Sequence, residues 1–189
     1  MRKLIFAINM TLDGFFDHTA VIADDELHEK AAELFRSADV VMFGRETYQL
    51  MAEYWPSAVS DPALSPSERD FAEAINRIDK IVFSKTLTSV SWNTQIRCVV
   101  DPVEINTMKN LPGRDILLGG GAKLAQAFMK LDLIDEYRLI IHPIILGNGK
   151  RLFNYIATRK DLRLVGQNVR GSGAVELIYQ PVNRPAGNP

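Results

Sequence analysis

Two periodicities alternate along the chain. Short continuous apolar runs, such as KLIFAIN (3–9), DVVMFG (39–44), KIVFS (80–84), IRCVV (96–100) and DILLG (115–119), read as strands. Runs of this kind suit strands buried on both faces of a parallel sheet. Between them, apolar positions return every three or four residues. In DDELHEKAAELFRSA (24–38), Leu27, Ala31, Leu34 and Phe35 mark the core face of a helix, and the acids crowd its first turn, where the macrodipole favours them. RETYQLMAEYW (45–55) predicts a second helix and SPSERDFAEAINRI (65–78) a third; in the latter Ser65 caps, Pro66 occupies the first helical position and Glu68 completes a capping box. Asp101, Pro102 and Glu104 repeat that logic before DPVEINTMKNL (101–111), and AKLAQAFMKLDL (122–133) predicts a fifth helix. DEYRLIIHPIIL (135–146) predicts a sixth strand, and DLRLVGQNV (161–169) and AVELIYQP (174–181) a closing hairpin turned by RGSG.

Strands alternating with helices define an α/β architecture. The expected form is three-layered, with a mostly parallel central sheet of about eight strands and a C-terminal antiparallel hairpin. Residues 1–181 are expected to form a single domain, and the segment 182–189, rich in Pro, Gly and Asn, a flexible tail.

Composition narrows the functional classes. Of 189 residues, 47% are hydrophobic and 24% charged, as in ordinary globular proteins. The net charge of −1 supplies no basic footprint for nucleic acid. The N-terminal apolar run is far too short for a signal peptide or a membrane span, so a cytoplasmic protein without a membrane partner is expected. A single cysteine, Cys98, excludes an internal disulfide, and its apolar surroundings predict a buried thiol. His18, His28 and His142 lack zinc spacing, so no metal site is expected.

The candidate chemistry lies at strand ends. Gly119, Gly120 and Gly121 sit between a strand and a helix, where backbone N–H groups can cradle an anion or simply make a tight turn. Position 124 is Leu, which departs from the dinucleotide fingerprint, and Lys123 lacks the neighbours of a P-loop lysine. A second strand end carries Gly44, Arg45 and Thr47, with an arginine suited to phosphate. A third offers Ser84, Lys85 and Thr86. Three anion-compatible ends in one sheet suggest an extended phosphorylated ligand such as a dinucleotide.

The pieces MTLDG (10–14), VVMFGRETY (40–48), KIVFSKTL (80–87) and ILLGGGAKLAQAFMKLDLIDEYRLIIHPIILGNGKRLF (116–153) occur in an order that resembles one family. It is the dihydrofolate-reductase-like fold, in the branch of riboflavin-biosynthesis RibD C-terminal reductase domains and their stand-alone relatives. The resemblance implies NADPH along the strand ends and hydride transfer to a small heterocyclic or sugar-linked substrate. It implies that Gly44, Arg45 and Thr47 bind the adenosine end and bridging phosphates. Ser84, Lys85 and Thr86 would hold the ribose 2′-phosphate, and Gly119, Gly120, Gly121, Ala122, Lys123 and Leu124 the pyrophosphate and nicotinamide side. Riboflavin reductases typically carry a substrate-facing Glu where this chain has Gly119. The proton-donor candidates are Asp13, in the loop that borders the nicotinamide in this fold, and Asp24; turn chemistry and helix capping are their structural alternatives. A homodimer is expected from the apolar strands near the C-terminal sheet edge and from the habit of the family.

Overall fold

The computed structural model describes residues 1–17, 19–153 and 159–182. Of the expected tail at 182–189, residues 183–189 lie outside them, as does His18. Among the described residues, β1 (Leu4–Thr11), β2 (Ala38–Gly44), β3 (Asp79–Phe83), β4 (Thr94–Arg97), β5 (Asp115–Leu118), β6 (Glu136–His142), β7 (Leu162–Val169) and β8 (Val175–Pro181) form one sheet in the order β4-β3-β2-β5-β1-β6-β8-β7. Pairing is parallel from β4 to β6, while β8 runs antiparallel to both β6 and β7.

Helices α1 (Asp25–Arg36), α2 (Arg45–Ala58), α3 (Pro66–Arg77), α4 (Pro102–Asn110) and α5 (Ala122–Lys130) flank the sheet. On one face α4 and α5 bury Ile105, Leu124, Ala125, Phe128 and Met129 against Phe6, Met42, Ile116 and Leu118. On the other, Leu34 and Phe35 of α1 and Tyr48 and Ala52 of α2 cover Ile5, Val41, Phe43, Val82 and Leu117. The third helix packs outside that layer, its Phe71, Ala74 and Ile75 meeting Ala32, Met51 and Trp55.

The N-caps fall where the sequence places them. The Ser65–Glu68 capping box is formed, and Asp101 accepts from the Val103 N–H; Glu104, however, pairs with Arg97 at 2.7 Å and completes no second box. Asp135 and Glu136 prove structural. Asp135 accepts the Leu4 N–H at 2.8 Å and pairs with Lys109 at 2.7 Å. Glu136 is held by Lys3 and Arg138. Both acids lie at the amino end of β6, away from the strand ends that carry the candidate chemistry.

Two further expectations change. Cys98 is exposed rather than buried, because β4 is a short edge strand that ends at Arg97. The sixth strand stops at His142, since Pro143 has no N–H to continue the ladder.

Candidate functional site

At the carboxyl end of β2 the chain passes directly from Gly44 into α2, and at the end of β5 it passes through Gly119–Gly121 into α5. These strands are neighbours, so the two helix N-termini stand side by side. The backbones touch: a Cβ built on Gly121 would lie 3.6 Å from both Gly44 Cα and Gly44 N. Gly120 and Gly121 have φ of 111° and 89°, a conformation open to glycine at little cost. Thr47 closes the cradle, its Oγ1 being 3.6 Å from where a Gly120 Cβ would stand.

The capping pattern separates these two helices from the rest. Asp24, Ser65 and Asp101 cap α1, α3 and α4 with their side chains. The N-caps of α2 and α5 are Gly44 and Gly121, with no side-chain cap bond. Their first-turn N–H groups are thus left for solvent or an anion, and two macrodipoles converge there.

The third strand end joins the same surface. Arg45 reaches from α2 to donate to Thr86 Oγ1 at 3.1 Å. Ser84 is buried, and its hydroxyl accepts the N–H groups of Thr86 and Leu87. It therefore shapes the turn, leaving Thr86 and the exposed Lys85 at the surface. Within the glycine segment Lys123 is exposed, Ala122 half-buried, and Leu124 buried in the core. Gly119 faces inward as well: a Cβ there would stand 2.7 Å from Phe43 Cε1 and 2.9 Å from Val41 Cγ2. A side chain at this position would thus run into the core under α2, not towards a ligand at the strand ends.

Both proton-donor candidates are occupied structurally. Asp13 accepts from the Thr11 hydroxyl and from the N–H groups of Leu146 and Gly147, the latter at 2.7 Å. The Thr11 hydroxyl foremost, then the Gly147 N–H, lower its pKa to about 2, so it is an ionised acceptor at neutral pH. Its work is to clip the loop after β6 onto the loop after β1. Asp24 is the N-cap of α1, accepting from Leu27 N at 2.7 Å. The geometry thus favours the capping and turn alternatives for both.

Three side chains outside the candidate set also stand at or after these strand ends. His142, at the end of β6, is buried beside the end of β1. Its Nδ1 accepts from the Ile22 N–H at 3.4 Å, which puts the proton on Nε2, donated to Asn9 Oδ1 at 3.0 Å. Burial first, and then Arg170, hold the imidazole below its ordinary pKa, against an opposing pull from Asp24. The other two are Glu46, in the first turn of α2, and Lys150, in the loop after β6, whose Nζ lies 3.1 Å from Glu46 Oε2. Among the described residues no cluster of His, Cys, Asp or Glu could hold a metal ion, and no helix is long and apolar enough to cross a membrane.

An eight-stranded, mostly parallel sheet with a C-terminal antiparallel pair and a glycine cradle at the ends of two central strands defines a dihydrofolate-reductase-like domain of the RibD kind. The chain belongs to the RibD C-terminal domain family, whose model matches residues 2–175. It is 32% identical over 185 residues to the Bacillus subtilis protein YyaP, covering 94% of each. Its fold is similar to Acinetobacter baumannii RibD (TM-score 0.68, 14% identity, 97% of this chain and 59% of that longer one). It is similar also to a pyrimidine reductase-like protein of Corynebacterium diphtheriae (TM-score 0.63, 15% identity, 97% and 93%).

Proposed function

We propose that the protein is an NADPH-dependent reductase that transfers hydride to a small heterocyclic or sugar-linked substrate. One observation carries this reading. Among the described residues, the two helices that start at the ends of adjacent strands β2 and β5 are the two with glycine N-caps and no capping side chain. A pyrophosphate fits that gap: backbone N–H groups from both turns converge, and no Cβ obstructs its approach. Arg45, Thr86 and Lys85 extend the surface towards β3, where a ribose 2′-phosphate would be held. NADPH bound there would supply a hydride at the end of β5 and β1. The loop after β1, clipped by Asp13, and the buried His142–Asn9 pair would shape the acceptor side.

NADPH is expected to bind tighter than NADH by roughly 10–100-fold, the worth of one or two charge-assisted bonds to the 2′-phosphate. Calorimetric titration of both cofactors measures it, and equal dissociation constants would refute the reading of Arg45, Lys85 and Thr86.

A second reading, a nucleotide-binding protein without turnover, is favoured by the structural engagement of both Asp13 and Asp24. Oxidation of bound NADPH by pteridine, pyrimidine or quinonoid acceptors separates the two. A third, the 5-amino-6-(5-phosphoribosylamino)uracil reductase of riboflavin biosynthesis, is disfavoured by Gly119.

We further propose a homodimer through the C-terminal sheet edge. β8 is only half-buried along its length, and β7 exposes Leu164, Val165 and Val169. An edge strand so apolar invites a second copy. A dimer mass is expected by light scattering at micromolar concentration, and a monomer mass would overturn it.

A further inference from the structure

Lys150 projects from a loop that is fastened on several sides. The Leu12 N–H donates to Ile144 O, the N–H groups of Leu146 and Gly147 donate to Asp13, and the Phe16 N–H donates to Lys150 O. The guanidinium of Arg151 lies 4.8 Å from the Phe15 ring centroid, and Gln126 of α5 donates to Leu152 O. The backbone at 150 is therefore held near the mouth of the cradle, while the side chain is about 71% exposed and free to swing. Its one ion-pair partner among the described residues is Glu46, two residues after the uncapped Gly44.

An acid in a first helical turn is ordinarily favourable. At a site that receives an anion it repels the ligand, and here cations surround it. Lys150 first, and then Lys123 and Arg45, hold the Glu46 carboxyl below its usual range. Arg45 itself spends its guanidinium on a neutral hydroxyl.

We propose that Lys150 is a ligand-binding cation of the pyrophosphate subsite, stored on Glu46 when the cradle is empty and transferred to a phosphate oxygen when a nucleotide diphosphate binds. This rests on the nucleotide-binding reading above. The exchange breaks one exposed ion pair and forms one charge-assisted bond beside two helix N-termini, where the anion is already partly desolvated. Glu46 then stands as a repulsive neighbour that limits affinity and eases release.

The test uses three ligands with a common pyrophosphate: NADPH, NADH and ADP-ribose. Calorimetry on Lys150→Met is expected to show all three weakened by about tenfold alike. Glu46→Gln, which breaks the same ion pair, is expected to bind all three as tightly as wild type or up to about threefold tighter. Lys85→Ala is expected to weaken NADPH alone. Both partners of the pair are about 70% exposed, so the variants keep the fold; melting curves check this. The inference falls if Lys150→Met binds like wild type, or if Lys150→Met and Glu46→Gln weaken binding equally, as a purely structural clip would. A wild-type protein that binds none of the three overturns the nucleotide reading itself, and this inference with it.

Discussion

Gly120→Val is expected to weaken NADPH binding by more than 100-fold while the protein stays folded. At φ 111° an L-residue is strained, and the Cβ would enter the space between the two helix ends, 3.5 Å from Thr47 Cγ2 and 3.6 Å from its Oγ1. The contacts are ordinary in distance, so the side chain fits against Thr47; what it removes is the backbone approach that a pyrophosphate needs. Backbone strain of about 1–3 kcal/mol lowers the melting temperature by roughly 2–12 °C in a chain of this size. Binding and melting are therefore decoupled: affinity collapses, and the melting transition moves modestly. Calorimetry beside a thermal scan reads both. A folded variant with wild-type affinity would reduce the glycines to a turn.

Gly119→Glu is expected to do the opposite, costing stability without creating a site. The substitution installs the acid that riboflavin reductases carry at the matching position. Here the Cβ would lie 2.7 Å from Phe43 Cε1 and 2.9 Å from Val41 Cγ2, both fully buried under α2. Overpacking costs about 1–3 kcal/mol, and a carboxyl forced against an apolar cluster adds a further penalty of similar size. A loss of roughly 3 kcal/mol or more is expected in urea denaturation, with Gly119→Ala losing less. Neither wild type nor variant is expected to reduce 5-amino-6-(5-phosphoribosylamino)uracil efficiently. A stable variant that gains this activity would show that the position faces substrate after all.

Most of the framework was legible because local chemistry dictates it. The Ser65–Glu68 box and Asp101–Pro102 fix two helix starts regardless of context. Continuous apolar runs marked the central parallel strands, whose two faces are both covered. Cys98 was misread because an apolar run does not say whether its strand is central or at an edge, and β4 is an edge. The inward direction of Gly119 depends on the pleat of β5 and on which neighbour it has, which is a matter of topology. The Glu46–Lys150 pair joins distant segments through a loop whose path is set by Asp13 and Phe16, so no spacing in the sequence announces it. Asp13 and Asp24 illustrate the converse. Their residue types fit proton transfer, but the hydrogen bonds they accept give them other employment.

The position of β5 has a consequence for how the molecule assembles. The chain lays down β1, β2, β3 and β4 before β5, yet β5 sits between β1 and β2, pairing Leu4 with Ile116 and Val41 with Leu117. No partly folded form that lacks this late central insertion can bring Gly44 and Gly121 together. The cradle therefore exists only once β5 has paired with β2 across the intervening strands β3 and β4 of the sequence. A ligand held there acts on the folding equilibrium of the whole sheet, raising stability by RT ln(1 + [L]/Kd), about 2.7 kcal/mol at a hundredfold excess over Kd. A nucleotide bound there would thereby act as a seal on chain topology, stabilising the sheet against global rather than local unfolding.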